Sequence, residues 1–197
     1  MTKEIQDLAE LVLTPAPDVK VWSETGNMKT LHDSHHDLVV CGVDTGVKTG
    51  ISFWNITQQK FLLIQTVTID QAFNLVKFQQ PALVRYEDAR LRKSFVAADA
   101  RMGRSGAGIR EGVGSVKRDA KAWEDFLKNN EIPGEPVAPK NNTTKLSSGE
   151  FKIRTGWLAQ TSEHARDAGM LVHGFTERNL RNTFKVLGIS QAAEAGR

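Results

Sequence analysis

A single mixed α/β domain is the fold class that the sequence predicts, on three features. Apolar runs of strand length (LVVCGVD, ISFW, KFLLIQTV and ALVRYE) follow one another at short spacing. Segments of helical periodicity lie between and after them, giving the order β-β-β-α-β-α-β-α-α with EPVA as a short fifth strand. Finally, 197 residues with 40% hydrophobic and 25% charged content suffice for one sizeable core without disulfides or a structural metal.

Each element has a local reason. Residues 1–36 read as an N-terminal extension: a short helical pattern, Ile5–Leu8–Leu11–Val12, stops at Thr14-Pro15-Ala16-Pro17, which cannot continue a helix. His32, His35 and His36 follow without an acidic or cysteine ligand pattern, so a polar loop is favoured over a metal site. The main domain spans 37–188. Its first strand ends in an acid, and Gly46 and Gly50 punctuate a turn before the next two strands. Asp70 is placed to cap a helix through Ala72, Leu75, Val76 and Phe78 that ends before Pro81. The fourth strand, ALVRYE, also finishes in an acid. Roughly 25 residues rich in Arg, Gly and Ser come next, a length that usually marks a functional loop. A helix is expected from Ser115 to about Asn130, its stripe formed by Val116, Ala120, Trp123, Phe126 and Leu127. Two more helices are expected, one before Gly156 and one from Ser162 to Phe175. Residues 189–197 read as a tail.

Charge narrows the function. Residues 1–37 carry three Lys or Arg against seven Asp or Glu, whereas residues 38–197 carry 23 against 16. The stretch Arg85–Lys121 alone has ten basic and five acidic residues. A basic body suggests a polyanionic partner such as nucleic acid. Cys41 is the only cysteine, which excludes a disulfide framework and points to a reducing, intracellular setting. No apolar run approaches the roughly 18 residues of a membrane span, and acids interrupt the apolar start MTKEIQDLAELVL, unlike a secretory signal.

Three features carry chemistry. Asp44 in GVDTG and Glu87 in RYEDAR stand at the ends of predicted strands, where a carboxylate needs a cation or donors nearby. In SEHARDAGMLVHGF, His164 and Asp167 share a helix face that continues apolar through Ala168, Leu171 and Phe175. Its first turns can aim two metal-capable groups at the sheet, while Glu163 and Arg166 lie off that face.

In order and spacing, GVDTGVKTGISFW, LVRYEDAR, GSVKRDAKAW, VAPKNNTTK and EHARDA resemble the RNase H-like nucleases, and most closely the RuvC family of Holliday-junction resolvases. The succession covers roughly residues 38–175. FKIRTGW is similar to the phage-type members. The resemblance implies an RNase H-like mixed five-stranded sheet flanked by helices. It implies a metal-dependent endonuclease that resolves four-way DNA junctions, acting as a homodimer in a bacterium or phage-infected host. Asp44, Glu87, His164 and Asp167 then take the catalytic metal-ligand positions around two Mg²⁺ ions, with Mn²⁺ able to substitute. Hard oxygen donors suit those ions, and two of them together activate water and stabilise the leaving group. Asp44 bridges, and His164 either ligates a metal or orients the water. Arg90, Arg92, Lys93, Arg101, Arg104 and Arg110 would grip phosphates, and Phe95 would stack into the junction. Lys140, Lys145 and Lys152 are the candidates for the family's lysines near the active site. The readings that stand beside this one are a hybrid- or flap-cutting nuclease, a non-catalytic branched-DNA-binding protein, and an actin-like sugar kinase with GVDTGVKTG as its phosphate turn.

Overall fold

The structure is a computed structural model that describes residues 38–91, 106–143 and 145–189, with backbone alone for 106–116. Five strands form one sheet: β1 (Val39–Asp44), β2 (Thr49–Asn55), β3 (Lys60–Val67), β4 (Leu83–Glu87) and β5 (Gly134–Val137). Their order is β3-β2-β1-β4-β5. The first three run as an antiparallel meander, and β4 and β5 pair parallel to β1 and β4. Parallel pairing needs a crossover. Helix α1 (Ile69–Gln79) supplies the first and α2 (Gly106–Asn129) the second. Three further helices follow: α3 (Ser148–Thr155), α4 (Glu163–Met170) and α5 (Glu177–Leu187). This is the mixed α/β sheet flanked by helices that the sequence predicts.

Alternation along β1 divides the core. Val40 faces a cluster of Trp54, Phe61, Phe151, Ala165, Val172 and Phe175, which joins the sheet to α3, α4 and the turn beyond it. The indole of Trp54 donates to the Phe175 carbonyl at 3.0 Å, closing that layer. On the other face, Phe73 of α1 stacks on Phe126 at 4.1 Å and meets Trp123 edge-on at 4.7 Å. Trp123 is fully buried. It is a core residue, as its place in the apolar stripe of the helix predicts.

Four sequence expectations need correction. α1 is capped by Thr68, not Asp70, through a reciprocal capping box with Gln71. α2 starts at Gly106, nine residues before Ser115, so part of the expected Arg-rich loop is helical, Arg110 included. The helix expected from Ser162 to Phe175 is shorter, with Ser162 as its cap and Met170 as its last residue. α5 was not expected at all; Thr176 caps it and Gly188 ends it in the left-handed conformation.

Candidate active site

The site is built on close approach between a helix and the sheet. Gly42 of β1 and Gly50 of β2 lie beneath α4. A Cβ at Gly42 would stand 2.2 Å from the Ala168 carbonyl oxygen, and one at Gly50 only 2.0 Å from that of His164. Both glycines are therefore required for space. Gly50 pairs with Asp44 inside the sheet rather than sitting in the turn the sequence suggests. Ser52, opposite Gly42, donates its hydroxyl to the Ala168 carbonyl at 3.0 Å and fixes the helix there.

That approach joins the two groups that sequence separates by 120 residues. His164 Nδ1 lies 2.8 Å from Asp44 Oδ2. The carboxyl of Asp44 is 14% exposed and the imidazole 49%, so the pair opens to solvent on the histidine side. Burial pushes the Asp44 carboxyl up; the His164 contact opposes this, and the negative charge of Asp167 adds to it. Asp167, one turn along α4, is buried at 6% exposure. Burial raises its carboxyl too, against the hydrogen bond and charge of Lys145.

Glu87 ends β4 on the same sheet face, one residue beyond the paired positions Val43 and Tyr86. The Thr45 hydroxyl donates to the Glu87 carbonyl at 2.9 Å and ties the two strand ends together. Farther down that face, Arg85 is held by Glu135 at 2.7 Å and also donates to the Leu171 carbonyl. Arg85 thereby ties β4 to the residue that follows α4.

The expected cations are placed differently. Lys145 lies at the site: its main-chain N–H donates to Asp167 Oδ1 at 3.0 Å, and its ammonium pairs with Glu163. Its side chain is 74% exposed. Glu163 thus has a partner on this face, and Arg166 is not merely solvated, donating to the carbonyls of Leu146 and Thr161 at 2.7 Å each. Arg90 is committed inside the protein, its guanidinium held by Asp88 at 2.6 Å and Glu124 at 2.7 Å. Lys140 and Lys152 are exposed. Arg92, Lys93, Phe95, Arg101 and Arg104 lie outside the described residues, as do His32, His35 and His36. The side chain of Arg110 is not described.

Donor chemistry fits a hard divalent cation: one buried and one partly buried carboxyl whose ionised forms are disfavoured by burial, a third at the adjoining strand end, and one imidazole. A cation would relieve the charge that burial penalises. Among the described residues, however, no three His, Cys, Asp or Glu side chains converge as a preformed cage. The fit is one of charge and ligand type.

No family model matches the chain, and no curated protein matches it in sequence. Among solved structures, its fold is similar to T. thermophilus RuvC in complex with Holliday junction substrate, with a TM-score of 0.46 at 12% identity over 77% of this chain and 97% of that one. A second Thermus thermophilus RuvC structure gives 0.43 at the same identity and coverage. The likeness is one of fold. No described helix is long and apolar enough to cross a membrane.

Proposed function

We propose that the protein is a metal-dependent, structure-specific endodeoxyribonuclease that resolves four-way DNA junctions. The observation that carries the catalytic part is the Asp44–His164 contact, made by a helix seated on two glycines with Asp167 one turn away. The junction as substrate, and the phage-type grouping, rest on the order of the sequence motifs and on FKIRTGW. Asp44, Glu87 and Asp167 would hold the ions. Bound divalent ions supply an activated water and offset charge on the phosphoryl oxygens and the leaving alkoxide.

The chain's own residues divide the remaining work. With His164 Nδ1 engaged by Asp44, Nε2 is the nitrogen left to face water or a ligand, and Asp44 holds the ring's orientation. Lys145 keeps one oxygen of Asp167 occupied and brings positive charge beside both carboxyls. Exposed Lys140 and Lys152, with the basic segment of residues 92–105, would bind phosphates. Arg90 is withdrawn from that set by its two acidic partners. Paired cuts on a two-fold substrate call for a homodimer.

The test is incubation of the purified chain with a four-way junction and a matched linear duplex, with and without Mg²⁺. Mg²⁺-dependent cutting of the junction alone is expected. Equal cutting of an RNA–DNA hybrid or a flap would move the substrate assignment, and tight junction binding without cleavage would make the protein a binder.

A further inference from the structure

We infer that Asn142 is a positioning residue for Asp167, an assignment that rests on reading Asp167 as part of the active site. The amide Nδ2 of Asn142 donates to the main-chain carbonyl of Asp167 at 3.0 Å, and the Lys145 N–H donates to Asp167 Oδ1 at 3.0 Å. Asp167 is therefore held at two points, by backbone and by side chain. The orientation of the amide is fixed by chemistry: turned over, its oxygen would face the Asp167 carbonyl oxygen and repel it. Lys145 adopts φ 63°, a left-handed conformation that non-glycine residues rarely take, and in it the N–H meets the carboxylate.

The other half of the amide explains why packing alone does not account for Asn142. Among the described residues, its Oδ1 is buried with no hydrogen-bond partner. Burying an unpaired acceptor costs stability, so a residue serving the fold alone would be better replaced by an apolar one. Asn142 donates where donation holds Asp167 and goes unsatisfied elsewhere. With Oδ1 of Asp167 occupied by Lys145, Oδ2 is the oxygen left to meet a divalent cation.

The test uses the full chain with Asn142→Ala and Asn142→Leu. In the metal-free wild type the Lys145 amide proton, bonded to a carboxylate, should resonate downfield in a ¹H–¹⁵N spectrum. It should move upfield in both variants, as in Asp167→Ala. Mn²⁺ affinity, read by water-proton relaxation, should weaken tenfold or more. The turnover number on a junction should fall while KM stays within twofold, and the Asn142→Leu melting temperature should not drop. An unmoved Lys145 amide with Mn²⁺ affinity within twofold of wild type overturns the assignment. So does a loss of affinity that merely tracks a fall in melting temperature in both variants. Wild-type turnover by Asn142→Ala overturns positioning and leaves the nuclease reading intact. A wild type that binds Mn²⁺ with this dependence on Asn142 but cuts no DNA does the reverse, and a wild type that binds no Mn²⁺ overturns both.

Discussion

Gly50→Ala should separate the helix that carries His164 from the sheet that carries Asp44. The added Cβ would stand 2.0 Å from the His164 carbonyl oxygen and 2.4 Å from its carbon, where ordinary contact begins near 3.4 Å. Both atoms are backbone, so no side-chain rotation relieves the clash. Moving from 2.0 to 3.4 Å asks α4 to withdraw by roughly 1.4 Å. That would stretch the 2.8 Å Asp44–His164 contact to about 4 Å, beyond hydrogen-bonding distance. The overpacking should destabilise the protein by about 1–3 kcal/mol. Cleavage should fall by about 10²-fold, the effect of a 1 Å misplacement of reacting groups. Gly46→Ala is the control, because a Cβ there meets nothing nearer than 3.7 Å. Urea unfolding and junction cleavage, measured on both variants, decide the matter. A Gly50→Ala protein with wild-type stability and cleavage within twofold would refute the close-approach account.

Asp44→Asn should keep the fold but lower cleavage by about 10³-fold or more, since the charge that orients His164 and meets the cation is gone; single-turnover cleavage checks it. Mn²⁺ at 100 times its dissociation constant should raise wild-type stability by about 2.7 kcal/mol and leave Asp44→Asn unmoved, measured by thermal unfolding. Asp88 is 2% exposed and holds Arg90, so Asp88→Asn should cost about 2–3 kcal/mol in urea unfolding rather than behave as a neutral exchange. Burial raises the Asp88 carboxyl, but its Arg90 bonds outweigh this and hold it below the usual range. The resulting stability is present above the unfolded-state carboxylate pKa and lost as pH falls through the depressed folded value, so acid unfolding of Asp88→Asn should be shallower. Gly149→Ala, in α3 with nothing within 4 Å of the added carbon, should stabilise by about 0.4–1 kcal/mol.

The strands were legible because β1, β2 and β4 are apolar runs of strand length, and β1 and β4 end in acids. The early start of α2 was not, because four glycines in GAGIREGVG oppose helix propensity locally. α5 did carry a signal: Leu180, Phe184 and Leu187 share one face, between Thr176 at its start and Gly188 at its end. For the site, spacing alone placed Asp167 on the face with His164 and put Asp44 and Glu87 at strand ends. The cradle was invisible, because Gly50 looks like a turn residue unless its pairing with Asp44 is known. Asn142 and Arg166 act through main-chain carbonyls, and such partners leave no pattern in a sequence. The partners of Arg90 were invisible for a related reason: Glu124, which helps to hold it, lies 34 residues away on another element.

Several departures from local rules lie around two carboxyls. Glycines sit inside strands at Gly42 and Gly50, where they weaken a sheet. Lys145 takes a left-handed backbone, Asn142 keeps a stranded acceptor, and Asp167 is buried and Asp44 partly buried although burial disfavours their charge. Isolated departures occur elsewhere: among the described residues, Asp119 Oδ2 and Trp123 Nε1 on α2 are buried without partners as well. Those two serve no common point that the described residues reveal. The α4 face differs because each departure has a consequence for Asp44 or Asp167: two glycines admit the helix, one backbone N–H and one amide hold the aspartate, and the imidazole closes on its counterpart. A sequence tuned for stability alone would replace the amide and neutralise the acids. Retaining them around one solvent-facing pair is what the proposed metal site would require.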